Sequence, residues 1–206
     1  MPQFNFRHDG SVPILGHERL NPIYPPDNMA HQRPDCGAIV DGEYAHATQE
    51  EQDRRNEQAG LRPVMKFTHA AYNNVMRDLA GGTFQCEQGG ILLGPCDTED
   101  LVIRYVKDSQ GDSRPASFTI DAEYLNGQLR KVKDAGLTGV GIIHSHPPGC
   151  TRPSYGDLEF LHQIFRNPNN RGGLFLFPIV SGRQLYPFVV DTTDVRRVQL
   201  AELVLV

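Results

Sequence analysis

Apolar residues recur at helical spacing in one segment of the chain, and two further segments carry helix start or stop signals. In the first, an apolar stripe lies between Thr68, a typical N-cap, and two glycines that end a helix. The stripe consists of Ala71, Val75, Met76 and Leu79. The second segment begins at Asp121, has a basic last turn that suits the helix dipole, and ends at Gly136. We predict helices over residues 68–79, 121–135 and 154–165.

Shorter apolar or alternating stretches between the predicted helices are typical of strands. The run at 139–143 is continuously apolar, as expected for a strand buried on both faces. Residues 83–93 fit a strand pair or one bent strand, 108–115 a polar loop, and 174–180 with 185–190 a hairpin. For 195–206 both a helix and an edge strand fit, and we favour a strand. The remaining predicted strands are 101–107 and 116–120.

Residues 1–65 are rich in proline, glycine, asparagine and charge, which is unlike the rest of the chain. Short strands at 3–6 and 38–40 and a polar helix at 48–60 are the elements that this segment suggests. We interpret it as an N-terminal extension that either packs along the main domain or carries partner contacts. Residues 66–206 form the main domain, which we predict to be α/β, with helices covering a central sheet.

Composition and charge limit the classes of partner and the cellular location that we expect for this chain. With 206 residues, 39% hydrophobic, the chain is typical of a soluble globular protein. A net charge of -5 and the absence of a lysine or arginine run argue against nucleic acid as a partner. No stretch of the sequence resembles a membrane span or a signal peptide, so we expect no membrane partner and a cytoplasmic location. In that reducing compartment we expect scattered free thiols. Cys150 is the one cysteine beside the candidate site described next. We interpret it as an ordinary loop residue, and the alternative is a zinc-bound or reactive thiol.

Two histidines follow the apolar strand at 139–143. Side chains alternate along a strand, so His144 and His146 project from one face, and we assign Val140, Ile142 and Ser145 to the other. Pro147 ends the strand, which leaves both rings at its end. Asp157 follows eleven positions after His146, across a turn, and is able to complete a three-ligand zinc site with an open fourth position. The alternative is a pair of exposed histidines with local hydrogen bonds.

These residues carry a family resemblance. His144-x-His146-Pro147, six residues, then Ser154-x-x-Asp157 resembles the signature of the JAMM (MPN+) zinc isopeptidases of the Jab/MPN family. The family's upstream glutamate and Gly-x-x-x-Gly are matched by Glu87 and by Gly90 to Gly94. The resemblance spans residues 66–190. It implies the MPN (cytidine-deaminase-like) fold, a curved, mixed, mostly antiparallel sheet flanked by helices.

The resemblance also implies roles. Zn²⁺ is bound by His144, His146 and Asp157, and it lowers the pKa of a bound water to about 7. Glu87 is then the general acid and base rather than a ligand, and Ser154 donates to the oxyanion of the attacked carbonyl. A different reading of Ser154-x-x-Asp157 is a helix capping box. The sequence does not separate these two uses.

Enzymes with this signature cut the bond after the C-terminal tail of a ubiquitin-like protein, so the implied partners are such a protein and its conjugates. The local sequence is similar to that of prokaryotic Jab-type proteins of bacterial ubiquitin-like conjugation, with E1-like and E2-like proteins as possible pathway partners. We expect an exposed sheet edge beside the metal for the tail. The alternatives are a peptidase of phage-tail or cell-wall type, a non-catalytic MPN scaffold, and a RadC-like protein. The negative net charge disfavours the last.

Overall fold

The helices of the structure match those that the sequence predicts. The computed structural model describes residues 62–80, 86–115 and 117–206. Its helices are α1 (His69–Leu79), α2 (Ala122–Lys133) and α3 (Tyr155–Phe165), and Pro168–Asn170 forms a 3₁₀ turn. The side chains of Thr68 and Asp121 accept the amides of Ala71 and Tyr124, so both predicted N-caps are confirmed. The elements suggested at 3–6, 38–40 and 48–60 lie outside the described residues.

The strands fall into one large sheet, a small parallel sheet and a short hairpin. The large sheet holds the strand expected at 139–143, which extends over Leu137–His146. The strands in chain order are β1 (Val64–Phe67), β2 (Gly89–Pro95), β3 (Leu101–Val102), β4 (Arg104–Lys107), β5 (Asp112–Arg114), β6 (Ser117–Thr119), β7 (Leu137–His146), β8 (Leu174–Leu176), β9 (Ile179–Ser181), β10 (Gln184–Tyr186), β11 (Phe188–Asp191), β12 (Asp194–Leu200) and β13 (Glu202–Leu205).

The large sheet is mixed and mostly antiparallel, as predicted. Strand β2 lies between β4 and β7 and is antiparallel to both. On its other side, β7 is parallel to β8 and β9 with one constant register, so these are two halves of the same strand. Strands β8 and β9 form the predicted hairpin with β11 and β10, and both pairs share one antiparallel register. Strand β12 pairs with β11 and continues the sheet. Pro178 and Pro187 face each other where both strands are interrupted. Neither proline has a main-chain N–H to donate, so the ladder is broken at this point.

Two predicted segments differ from the structure. The single strand expected at 101–107 is two strands, because β3 pairs with β1 in the small sheet whereas β4 pairs with β2 in the large one. The loop expected at 108–115 contains β5, which pairs with β6. All three residues of β5 are exposed, so no apolar alternation marked it. The strand favoured for 195–206 is confirmed as β12 and β13.

The large sheet is covered on both faces. On one face, α2 and α3 pack through residues such as Leu125 and Leu161 against Ile142 and Phe177. On the other face, α1 and the small sheet pack against a second layer that includes Ile143. The small sheet is parallel, in the order β13–β1–β3, and the predicted domain boundary between residues 65 and 66 falls inside β1. No helix in the described ranges is long and apolar enough to cross a membrane.

The predicted faces of β7 need one correction. Positions two apart share a face, so Ile142 lies on the same side as His144: it packs in the layer of Phe177, whose ring is 5.2 Å from the His144 ring. The assignment of Ile142 to the opposite face was therefore wrong. Val140 packs in the other layer, as expected, because the register between β2 and β7 shifts at this point.

Candidate metal centre

The candidate centre lies at the end of β7. His144 and His146 project from the face that α3 covers, and the side chain of each is 5% exposed. Their Nε2 atoms are 2.7 Å apart, and the ring centroids are 4.5 Å apart. Because only one of two facing Nε2 atoms can carry a proton toward the other, at least one presents a lone pair to the centre. The alternative of two exposed histidines on a strand does not describe this pair.

Asp157 approaches the two histidines from the first turn of α3. Its Oδ1 is 3.1 Å from Nε2 of His144, and its Oδ2 is 3.2 Å from Nε2 of His146. Two nitrogen donors and one carboxylate thus converge, with ligand atoms all within 4.8 Å of one another. The strand and the helix therefore bring together the three residues that the sequence proposed as metal ligands.

Ser154 is the N-cap of α3, and it forms a capping box with Asp157. The Ser154 Oγ accepts the Asp157 amide at 3.2 Å, while the Ser154 amide donates to Asp157 Oδ2 at 2.6 Å. The Ser154 hydroxyl also donates to Oδ2, at 2.8 Å. Ser154 is exposed, next to a ligand of the candidate metal. The capping interpretation is correct, and the same carboxylate also faces the histidines.

Glu87 lies two residues before β2, the strand that pairs with the histidine-bearing strand β7. Gly89 pairs with His144, and the amide of Ser145 donates to the Gln88 carbonyl at 2.7 Å, so the same register sets Glu87 opposite His146. Burial raises the pKa of the Glu87 carboxyl from 4.5 to about 7; the field of His146 opposes this rise, and that of Asp157 adds to it. A carboxyl that exchanges its proton near neutral pH is suited to acid and base catalysis.

Comparison with known proteins identifies the family. A family model described as prokaryotic homologs of the JAB domain matches residues 69–200, which is more than half of the chain. The chain belongs to the prokaryotic JAB family. The expected MPN-type fold class is thereby confirmed. No curated protein matches the sequence.

Two solved structures are similar to this chain. The solution structure of protein DSY2949 from Desulfitobacterium hafniense has 20% sequence identity and a TM-score of 0.52, covering 69% of this chain and 92% of that one. A JAB1/MPN domain protein from Archaeoglobus fulgidus, AF2198, has 16% identity and a TM-score of 0.40, covering 69% of this chain and 98% of that one. At these identities the likeness concerns the fold alone.

The donor set of this JAB domain fits a zinc ion. Zinc takes imidazole nitrogen and carboxylate oxygen at about 2.0–2.2 Å, and three protein ligands with one open position are typical of catalytic sites. Tetrahedral ligands at that radius lie about 3.3 Å apart. The separations of 2.7, 3.1 and 3.2 Å among His144, His146 and Asp157 are close to this value. A small movement of the ligand atoms away from one another accommodates the ion.

The charge of Asp157 also suits a cation. Burial by itself would raise the pKa of its carboxyl, but the field and hydrogen bonds of the two histidines hold that pKa well below its usual range. Asp157 is therefore ionised at neutral pH. It also lies in the first turn of α3, where the helix dipole favours a negative charge.

The main chain around Glu87 is held from both sides. The Ser145 hydroxyl accepts the Gln88 amide at 3.0 Å, and on the other edge the Glu87 amide donates to the Arg114 carbonyl at 2.8 Å. The Ser145 contact is not predicted by any pattern in the sequence. The only signal available was that a serine between two ligands points away from them.

Asp108 is a second residue near the site that the sequence did not reveal. Its buried carboxylate accepts the amides of Gln110, Gly111 and Asp121 at 2.7–3.0 Å, which ties the β5–β6 hairpin to the start of α2. Its own amide donates to the Gly89 carbonyl at 2.9 Å. From the sequence alone, Asp108 is one polar residue among several in the predicted loop at 108–115.

Cys150 differs from the expectation of scattered free thiols. Cys86 and Cys96 are free, but Cys150 is buried and disulfide-bonded, so it offers neither a zinc ligand nor a reactive thiol. Its amide donates to the Pro147 carbonyl at 3.0 Å, which closes the turn after the histidines.

Proposed function

We propose that this protein is a zinc-dependent peptidase that cleaves after the C-terminal tail of a ubiquitin-like protein, by deconjugation or precursor processing. The observation that carries the proposal is the convergence of His144, His146 and Asp157 on one point, with Glu87 opposite His146 on the adjacent strand. Non-catalytic members of the fold have no need of this arrangement. The membership of the JAB family supports the same reaction class.

The proposed chemistry divides between the ion and the protein. When bound, a zinc ion with an open position polarises a carbonyl and makes water nucleophilic near neutral pH. Glu87 takes the proton from the attacking water and returns it to the departing amine; burial of this carboxyl raises its pKa, which favours proton uptake. Ser154 donates to the oxyanion. Its proton goes to Asp157 in the structure, so the hydroxyl must rotate toward the substrate.

The substrate tail would bind as an added strand. Strand β5 is exposed along its length and pairs with β6. Its Arg114 carbonyl accepts the amide of Glu87, so β5 lies beside the proposed general base. Added strands are held by main-chain hydrogen bonds and demand few specific side chains, which suits a flexible C-terminal tail. The E1-like and E2-like partners and a cytoplasmic bacterial conjugation pathway are parts of this proposal.

The test uses purified protein and a ubiquitin-like protein fused through its C-terminal tail to a reporter. We expect about one zinc per chain, and cleavage at the end of the tail that stops when zinc is chelated and returns when it is restored. Glu87→Gln should retain zinc and lose cleavage, whereas Glu202→Gln, at an exposed site on β13, should behave as the wild type. Cleavage that is undiminished in Glu87→Gln would rule out the assigned proton transfer.

A peptidase of another specificity is tested by the same assay. A panel of unrelated unstructured peptides and cell-wall peptides, offered at equal concentration, distinguishes the two. Preference for the panel over the fusion would replace the ubiquitin-like substrate by a general peptide. Zinc binding without cleavage of any substrate would point to the non-catalytic scaffold.

A further inference from the structure

The hydroxyl of Ser145 replaces part of the ladder between β2 and β7. Gln88 and Ser145 are opposite each other, and in a regular antiparallel pair of this kind the two residues exchange two main-chain bonds. One is present, from the Ser145 amide to the Gln88 carbonyl at 2.7 Å. The other is not, because the Gln88 amide donates instead to Ser145 Oγ at 3.0 Å. The same hydroxyl donates to the Gln88 carbonyl at 3.3 Å.

This substitution occurs at a buried position. Ser145 is 3% exposed, so water does not compete for the Gln88 amide from that side. A hydroxyl is the smallest side-chain group that accepts from an amide and donates to a carbonyl at once. Both main-chain groups of Gln88 are thus bound by one residue of β7, and removing the hydroxyl leaves the Gln88 amide without this acceptor.

The position of Ser145 links the base to the metal ligands. Ser145 lies between His144 and His146 on one strand, with its side chain directed away from the rings. Gln88 directly follows Glu87. Holding Gln88 through Ser145 therefore fixes the main chain of Glu87 relative to the strand that carries both imidazoles. Catalytic groups tolerate little error, since a displacement of about 1 Å can cost about 10²-fold in rate.

We propose that Ser145 is a positioning residue, whose hydroxyl sets the distance between the Glu87 carboxyl and the metal held by the flanking histidines. The inference rests on the proposed function and specifies how the site is assembled. Ser145 touches neither the metal nor the substrate. It acts through the main chain of Gln88.

The test compares side chains that differ only by the hydroxyl. Ser145→Thr keeps the hydroxyl and adds a methyl group. Ser145→Val has the shape of threonine but lacks the hydroxyl, and Ser145→Ala removes the hydroxyl without adding bulk. Thr192→Ala is the matched control, because the buried Thr192 hydroxyl also accepts an amide, from Gly172, and donates to a carbonyl, of Gly173, far from the centre.

The first readout needs no substrate. In protein loaded with Co²⁺, the paramagnetic shifts of the Glu87 and Gln88 amides report their positions relative to the metal. We expect these shifts to change in Ser145→Ala and Ser145→Val, to stay near the wild-type values in Ser145→Thr, and to be unaffected by Thr192→Ala. Metal content should stay at about one ion per chain in all of them, because the three ligands are intact. Unchanged shifts in both Ser145→Ala and Ser145→Val would overturn the inference.

The second readout is turnover of the tail fusion with zinc. We expect kcat to fall about 10- to 100-fold in Ser145→Ala and Ser145→Val with KM within about twofold, and to recover in Ser145→Thr. Equal losses of kcat in Thr192→Ala would also overturn the inference, since general destabilisation would then suffice. If the wild type cleaves nothing, the proposed function fails, and the paramagnetic shifts still decide the role of Ser145.

Discussion

Replacing Glu87 by glutamine should stabilise the metal-free protein, and increasingly so as the pH rises. Glu87 is desolvated, and its pKa rises from 4.5 to about 7 on folding. Between these values the folded protein holds a proton that the unfolded chain has released. Because the folded state then binds more protons, the free energy of unfolding falls as the pH increases through this range. Glutamine resembles the protonated carboxyl at every pH, so the variant lacks this loss.

The size of the effect follows from the two pKa values. At about 1.4 kcal/mol per pKa unit, a rise from 4.5 to about 7 corresponds to about 3.4 kcal/mol once the pH exceeds both. Glu87 is only half-buried, and solvent screening reduces this figure. We therefore expect Glu87→Gln to exceed the wild type by about 1–2 kcal/mol at pH 8, and by less than about 0.5 kcal/mol at pH 5.

Urea unfolding of the chelator-treated proteins at pH 5, 6, 7 and 8 measures these differences. Glu202→Gln controls for the loss of one negative charge at an exposed site and should show no such trend. Repeating the series with zinc should shrink the Glu87 effect, since a cation in the site favours the carboxylate. A difference between Glu87→Gln and the wild type that is the same at pH 5 and pH 8 would refute the desolvation argument.

Three further substitutions, one of them with a matched control, test the cap, the metal ligands and the packing of β7. Ser154→Ala removes the N-cap of α3 and should cost about 1 kcal/mol in thermal unfolding, and about 10²–10³ in the rate of tail cleavage if Ser154 serves the oxyanion. Asp157→Asn should reduce zinc per chain, measured by elemental analysis after dialysis, because the carboxylate ligand is lost. Gly141→Ala would drive a methyl group into the Leu176 carbonyl, and the variant should unfold at a lower urea concentration than the wild type. The control is Gly127→Ala in α2, where a methyl group has space, and it should stabilise the protein by up to about 1 kcal/mol.

The features that the sequence revealed are those set by local chemistry. Helices α1 and α2 were found because an N-cap and a terminal glycine occur within about fifteen residues of each other, with an apolar stripe between them in α1 and a basic last turn in α2. The burial of β7 on both faces followed from an unbroken apolar run, since no exposed face would tolerate it. The grouping of His144, His146 and Asp157 came from the spacing of a motif rather than from periodicity.

The features that the sequence hid depend on distant partners. The chain between β3 and β4 passes from one sheet to another at Ile103, and nothing in an alternating pattern states which strand will pair with which. Strand β5 is wholly polar and exposed, so it is identified only by its pairing with β6. Asp108 is buried because three amides of the folded loop converge on it, and such a site exists only after folding.

Asp157 shows why the capping and metal-binding interpretations are compatible. An ionised carboxylate offers about four acceptor positions. The amide and hydroxyl of Ser154 use both positions of Oδ2, which leaves the two positions of Oδ1, the oxygen nearest to Nε2 of His144, for a cation. The cap fixes the rotamer of Asp157 as α3 begins, and hydrogen bonds of this kind orient metal ligands before the ion arrives. The interactions that start the helix therefore also place the third donor of the candidate metal centre.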